Sequence, residues 1–297
     1  MGFEVGEIFH IVHTCADVRA VDPWYRRTLG AVEAAPMTYL DIERRWAVFV
    51  NVAGVVLEPM SVDPLDQGAR PTPIQRFVAN FGYRWHSLAY YVDGLPALFN
   101  RLSEAGVRMF KTGGGAITEE HLPATSGAIW THPRDTFGLI EFAGVRPTRH
   151  QQPEPFEGEG STTTASSLGI RGLACVTYVP RDLDAARHLY ETVLGATVVG
   201  ERHWDWYGTD SIYLQFGKST VVELARPFTD QSRAAADLDN GGDVLHAVTF
   251  AVDNVGVIAR HLSTNGINVE QHGGDLVVSP ADTFGAVFRF TERPPKD

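Results

Sequence analysis

Short apolar runs, rich in β-branched and aromatic residues, recur along this chain, and four of them share one frame. HIVHTCAD starts at His10 and reaches Asp17 seven residues later. HSLAYYVD runs from His86 to Asp93, CVTYVPRD from Cys175 to Asp182, and HAVTFAVD from His246 to Asp253. Runs of this length and composition predict strands. After each Asp the apolar positions change to a helical spacing. The Asp or a neighbour then sits where it can accept from the unpaired N–H groups of a new helix. Leu29-Gly30 and Leu194-Gly195 close the first and third of these helices, with Gly suited to a left-handed C-cap.

The repetition extends beyond the first strands. Tyr25 and Tyr190 each lie 15 residues past His10 and Cys175, and further strand-like runs end in GVVLEPM at Glu58 and TVVELA at Glu223. Both glutamates lie 48 residues past the start of their frame. The second and fourth segments carry the helical stretches LPALFNRLSEAGV and VGVIARHLSTNGI. They close on near-copies 147 residues apart, HPRDTFG (132–138) and SPADTFG (279–285). Each unit therefore reads β-α-β-β-β, and four such units imply internal duplication. The predicted class is α+β. The organisation is an N-terminal domain over 1–145, a linker over 146–167, and a C-terminal domain over 168–297. The linker is assigned on composition: Pro, Gly, Glu, Ser and Thr dominate it.

Length agrees, since 297 residues suggest about two domains. A net charge of −11 argues against phosphate-bearing partners, nucleic acid or anionic membrane alike. No apolar run is long enough to span a bilayer, and the start of the chain lacks the charge and apolar pattern of a signal peptide. Two cysteines, Cys15 and Cys175, make no disulfide framework, which suits a reducing cytoplasm. The expected partner is a small molecule; whether the chain forms a homo-oligomer is left open.

HIVHTCAD followed by WYRRTLG, then HSLAYYVD and HPRDTFGLIEF, resembles the vicinal oxygen chelate superfamily. That superfamily includes glyoxalase I, methylmalonyl-CoA epimerase, extradiol dioxygenases and the bleomycin and fosfomycin resistance proteins. HPRDTFGLIEF looks like the closing strand of the epimerases. The resemblance implies that two units pair into one cup-shaped sheet around a divalent metal, hence two tandem cups here. Its ligand slots lie on the first and last strands of each unit. Carried over by position, they fall on His10, Glu58, His86 and Glu141 in the first half, and on Cys175, Glu223, His246 and Phe288 in the second. The first set suits one divalent ion (Fe, Ni, Co, Mn or Zn). The second lacks a carboxylate and is expected to be a degenerate site. Some members exchange units between cups, which would instead give His10/Glu58/His246 and Glu223/His86/Glu141. Adjacent pairing is the preferred reading.

By the same resemblance the function is that of a metal-dependent lyase or isomerase of the glyoxalase/epimerase type. It would act on a small, apolar or aromatic, oxygen-bearing substrate, with Glu141 and Glu58 as proton-transferring carboxylates. The alternatives are an Fe(II) extradiol-type dioxygenase and a metal-free ligand-binding or resistance protein. Several other residues have structural readings. His13, three residues from His10, should face the helix layer, and His132 should cap or hold the DTFG turn. Arg44 and Arg45 fall in a hairpin, where a solvated turn is the safer reading and a substrate carboxylate the bolder one. The stretch 111–127 reads as a surface loop or a lid.

Overall fold

In the computed structural model, which describes residues 2–65, 70–111, 114–117, 127–144, 168–217 and 220–295, the apolar runs become the central strands of two eight-stranded sheets. The first sheet contains β1 (Glu4–Thr14), β2 (Val32–Leu40), β3 (Arg45–Val52), β4 (Val55–Val62), β5 (Trp85–Asp93), β6 (Met109–Phe110), β7 (Ala128–Thr131) and β8 (Leu139–Gly144). Their order is β2-β3-β4-β1-β5-β8-β7-β6. The second contains β9 (Ile170–Val179), β10 (Thr197–Trp204), β11 (Thr209–Phe216), β12 (Thr220–Pro227), β13 (Val244–Val252), β14 (Val269–His272), β15 (Asp275–Val278) and β16 (Val287–Thr291). Their order, β10-β11-β12-β9-β13-β16-β15-β14, is the same permutation eight strands later. Adjacent units share each sheet, because β1 pairs with β5 and β9 with β13, both antiparallel. The exchanged pairing is thereby excluded. The proposed linker lies outside the described residues, as does most of 111–127.

The helices start and stop where local chemistry dictates. Asp17 caps α1 (Val18–Leu29) by accepting from Arg19 N, and Gly30 ends it at φ 65°. In the third unit Asp182 caps the helix Leu183–His188, which continues as a π turn over Leu189–Val193. In the second and fourth units the cap passes to the neighbours Gly94 and Asn254. No helix among the described residues is long and apolar enough to cross a membrane.

One face of each sheet is buried in a single hydrophobic core that includes Ile11, Leu57, Leu88 and Ile140 from the first sheet and Val176, Leu224, Val248 and Phe288 from the second. Strand alternation therefore turns the opposite set of side chains onto the two concave faces. The halves also interlock at the duplicated DTFG turns. A Cβ on Gly138 would stand 2.1 Å from a Tyr178 ring carbon, and one on Gly285 would stand 1.9 Å from Tyr83 O. Both glycines also have positive φ, so only Gly allows the approach. Trp85 Nε1 donates to Val287 O at 2.8 Å, and Arg84 makes a bidentate pair with Asp237 at 3.1 and 2.6 Å. His13 does face the helix layer. It is fully buried between Tyr25 OH of α1 (2.9 Å) and Phe284 O of the second DTFG turn (3.1 Å). His132 caps the first DTFG turn by accepting from Arg134 N.

Candidate functional site

The four first-half slots come from the four central strands, β4-β1-β5-β8, in that lateral order. Register groups them into two rows. His10 on β1 lies opposite Ala89 on β5, and Ala89 opposite Glu141 on β8, so His10 and Glu141 flank one alanine. Glu58 on β4 lies opposite Val12, two residues along from His10 and on the same face. His86 sits where β5 bulges against β1: Val12 faces Ser87 while His13 faces Trp85, so His86 is the extra residue. A bulge re-aims the side chain it carries, and it is often found beside active sites.

Three of the four groups meet. His10 Nε2 is 3.2 Å from Glu58 Oε2 and 3.6 Å from Glu141 Oε2. The fourth, His86, directs Nδ1 to Ser87 Oγ at 2.9 Å and sets its ring edge-on to Phe77. Phe49 stands edge-on to His10 in the same cup. Arg45 completes the cluster, with Nη1 2.6 Å from Glu58 Oε1 and Nε hydrogen-bonded to Glu43. The hairpin arginine is thus turned inward rather than solvated. A signal for this was available: Arg45 is two and four residues from Ala47 and Phe49, on their face of the strand.

The electrostatics follow from burial. Burial lowers the His10 pKa against the pull of Glu58, and it lowers His86 to about 3 with help from Arg45, so both imidazoles are neutral lone-pair donors. Burial, then the Glu58 and Glu43 carboxylates, push Glu141 up to about 8. As the side chains stand, no three His, Cys, Asp or Glu among the described residues form ready coordination geometry. Glu58 is drawn to Arg45 and His86 to Ser87. The donor set nonetheless fits a divalent cation. Two neutral imidazoles, the buried Glu58 and the partly exposed Glu141 project from one concave floor, and a doubly charged ion would offset the charge that carboxylates concentrate there. His10 Nδ1 is buried without a hydrogen-bond partner among the described residues, and Nε2 is the nitrogen aimed at both carboxylates.

The second cup repeats the rows with different chemistry, and one expectation needs correcting. Phe288 is not the counterpart of Glu141. The lateral row reads Cys175–Thr249–Arg289, just as the first reads His10–Ala89–Glu141. The second turn is one residue longer before its strand. Thr136 Oγ1 donates to Gly138 O, whereas Thr283 Oγ1 reaches Ala286 O. Phe288 therefore moves to the core face, against Trp24, Tyr25 and Trp85. Arg289 takes the cup position and binds Glu223 at 2.7 Å. Thr177 (2.5 Å), Ser211 (2.7 Å) and Tyr213 (3.0 Å) also donate to Glu223. Burial alone would raise the Glu223 carboxyl, but Arg289 and the hydroxyls hold it below the usual carboxylate range. His246 is held between Asp237 and Tyr207, at 2.6 Å from each. Cys175 is a buried thiol, pushed up to about 12 by burial and the nearby Glu223 charge.

Comparison with known proteins agrees with this architecture. Residues 172–290 match the model of the Glyoxalase/Bleomycin resistance protein/Dioxygenase superfamily. Over 143 residues the chain is 29% identical to an ethylmalonyl-CoA/methylmalonyl-CoA epimerase from Cereibacter sphaeroides, spanning 48% of this chain and 99% of that protein. A mutant 4-hydroxymandelate synthase from Streptomyces coelicolor shares the fold over 97% of this chain and 92% of its own, with a TM-score of 0.66 at 14% identity. The Mn(II)-bound glyoxalase from Novosphingobium aromaticivorans covers 97% of this chain and 82% of its own, with a TM-score of 0.58 at 14% identity. Duplicated β-α-β-β-β units, paired into two like sheets, thus share their fold with these two solved structures over nearly the whole chain, and residues 172–290 of the second half match the glyoxalase/bleomycin resistance/dioxygenase superfamily in sequence.

Proposed function

We propose that the first cup is the active site of a divalent-metal-dependent isomerase or lyase that moves a proton on the carbon next to a substrate carbonyl. The supporting observation is the convergence of Glu58 and Glu141 on His10 Nε2, at 3.2 and 3.6 Å, on one concave floor that also carries His86. His10, His86, Glu58 and Glu141 would hold the metal. When bound, it supplies Lewis-acid polarisation of the substrate carbonyl, which makes the neighbouring C–H acidic.

The protein's own groups divide the remaining work. Glu58 is nearly inaccessible and tied to Arg45, so it is the more firmly held of the two carboxylates. Glu141 is more open to the cup, its side chain 14% exposed against 3% for Glu58, and its raised pKa suits a group that takes and returns a proton near neutral pH. Phe49 and Phe77 border the imidazoles and limit access of water. The epimerase relative supports this substrate class, since its named substrates carry such a C–H between carbonyl groups.

The test is metal analysis of wild type and Glu141→Gln after reconstitution, with deuterium exchange at the α-carbon of methylmalonyl-CoA followed by NMR. One equivalent of Ni, Co, Mn or Zn and metal-dependent exchange are expected in wild type, with exchange slowed about 10²–10⁴-fold in the variant. Exchange unaffected by the substitution, or no bound metal after reconstitution, would overturn the reading. One equivalent of Fe with O₂ uptake on a catechol would replace it with ring-cleaving oxygen chemistry.

A further inference from the structure

The concave face of the second sheet encloses a cavity of about 200 Å³ at the place corresponding to the first-cup site. Its floor is the row Cys175–Thr249–Arg289, with Trp204 and Trp206 among its walls. Where the first row ends in a carboxylate, this one ends in a guanidinium. That exchange inverts the sign of ligand the cup can hold.

The charges around the cavity can be followed one by one. Arg289 is 4% exposed, and both of its protein hydrogen bonds use Nη1, to Glu223 and Thr177. Nη2 and Nε remain for a ligand. Arg202 and Arg293 both reach the same oxygen of Asp275, at 3.3 and 3.2 Å. Asp275 is further engaged by Thr291 at 2.7 Å. The remaining lining carboxylate, Glu201, is exposed and pairs outward with Arg187 at 3.8 Å. Three lining arginines thus stand around the cavity, while of the carboxylates near it Glu223 and Asp275 are committed to them and Glu201 points to solvent. Thr249 Oγ1 is buried beside the Cys175 thiol, a weak partner at best, and makes no hydrogen bond to nitrogen or oxygen among the described residues. A buried hydroxyl with only a thiol beside it is poorly satisfied, and a ligand oxygen would serve it better.

The walls define the rest of the ligand. The Arg202 guanidinium lies 3.5 Å from the centre of the Trp204 ring, and Trp206 stacks on His272 at 4.4 Å, so the aromatic surfaces are held in place. An apolar cavity of ~150 Å³ holds benzene, and drug-sized ligands need ~300 Å³ or more. The space therefore suits one ring with one small acidic group.

We propose that the second cup is a metal-independent binding site for a small aromatic monocarboxylate, its carboxylate on Arg289, Thr249 and Arg202 and its ring against Trp204 and Trp206. This does not depend on the reaction assigned to the first cup.

Benzoate is the probe, with benzamide as its neutral isostere, titrated into the full chain by calorimetry and tryptophan fluorescence. Saturable one-to-one binding of benzoate is expected, at least tenfold tighter than benzamide, and unchanged in Glu141→Gln and in the presence of chelator. Arg202→Gln, at the rim, should weaken it about 10–100-fold, the worth of one charged hydrogen bond. Thr249→Val should weaken it severalfold. Arg289→Met is made together with Glu223→Gln, so that no charge is left buried alone, and that pair should abolish binding. Equal binding of benzamide, loss of binding in Glu141→Gln, insensitivity to Arg202→Gln and Thr249→Val, or no saturable binding would each overturn the assignment.

Discussion

Acidification should weaken the fold through His13, and the size of the effect can be worked from its surroundings. The imidazole is fully buried, with Nε2 donating to Phe284 O and Nδ1 accepting from Tyr25 OH, so the neutral ring satisfies both of its nitrogens. Burial lowers its pKa to about 4, against 6.5 for a free imidazole. Between those values the unfolded chain binds a proton that the folded chain refuses. Stability is therefore fully present above about pH 7, falls as pH drops from 6.5 to 4, and levels off below that. At 1.36 kcal/mol per pH unit the loss attributable to His13 is about 3 kcal/mol. Urea unfolding at several pH values measures it, using wild type and His13→Gln. The substitution has its own cost, but that cost does not vary with pH. His10 and His86 are also lowered and contribute to acid loss in both proteins, so His13's share is the difference between the two curves. That difference should shrink by about 3 kcal/mol between pH 7 and pH 4. Parallel curves would refute the argument.

Two further outcomes follow from packing. Glu223→Gln leaves Arg289 buried without its counter-charge and should cost about 3–5 kcal/mol in urea unfolding, whereas Glu223→Gln with Arg289→Met should recover most of the loss. Gly285→Ala places a methyl 1.9 Å from Tyr83 O at a positive φ, so it should destabilise by more than about 3 kcal/mol. Gly54→Ala, also at positive φ but with nothing within 4 Å, should cost only about 1 kcal/mol. Equal losses at the two glycines would mean that backbone strain, not contact between the halves, decides both.

The units, their order and the first-cup slots were legible because duplication wrote each of them more than once. His10 and His86 are related by frame, as are Glu58 and Glu223, and backbone register then does the rest. The error at Phe288 has a definite origin. Counting on from the shared DTFG assumes that both turns spend the same number of residues before the strand begins, and the extra residue, Ala286, breaks that count. Aligning Glu141-Phe142 with Arg289-Phe290 would have found the true partner, since in both pairs a charged residue alternates with a core aromatic. Arg45 was legible as a hairpin arginine on the face of Ala47 and Phe49, but the partner that holds it there, Glu58, lies thirteen residues away on the next strand. Contacts such as Arg84–Asp237, 153 residues apart, are made by tertiary folding and leave no local pattern to read.

Those long-range contacts bear on why both halves persist in one chain. His86 is delivered by a bulge whose two preceding residues are anchored in the other half: Arg84 to Asp237, and Trp85 Nε1 to Val287 O. Asp237 is in turn fixed by His246, the second cup's counterpart of His86, and its pKa is held down at about 2 because, against its burial, the His246 hydrogen bond and the Arg84 charge favour the carboxylate. Val287 lies two residues before Arg289, on the strand that lines the second cup. The side chains that distinguish the two cups thus sit on backbone segments that hold each other in register. A substitution in one cup that shifts its strand by even part of a residue would be felt by the imidazole of the other, whereas one that only exchanges charge at a fixed position would not. This is the physical route by which a duplicated scaffold can keep its geometry while one position holds the Glu141 carboxylate in the first cup and the Arg289 guanidinium in the second.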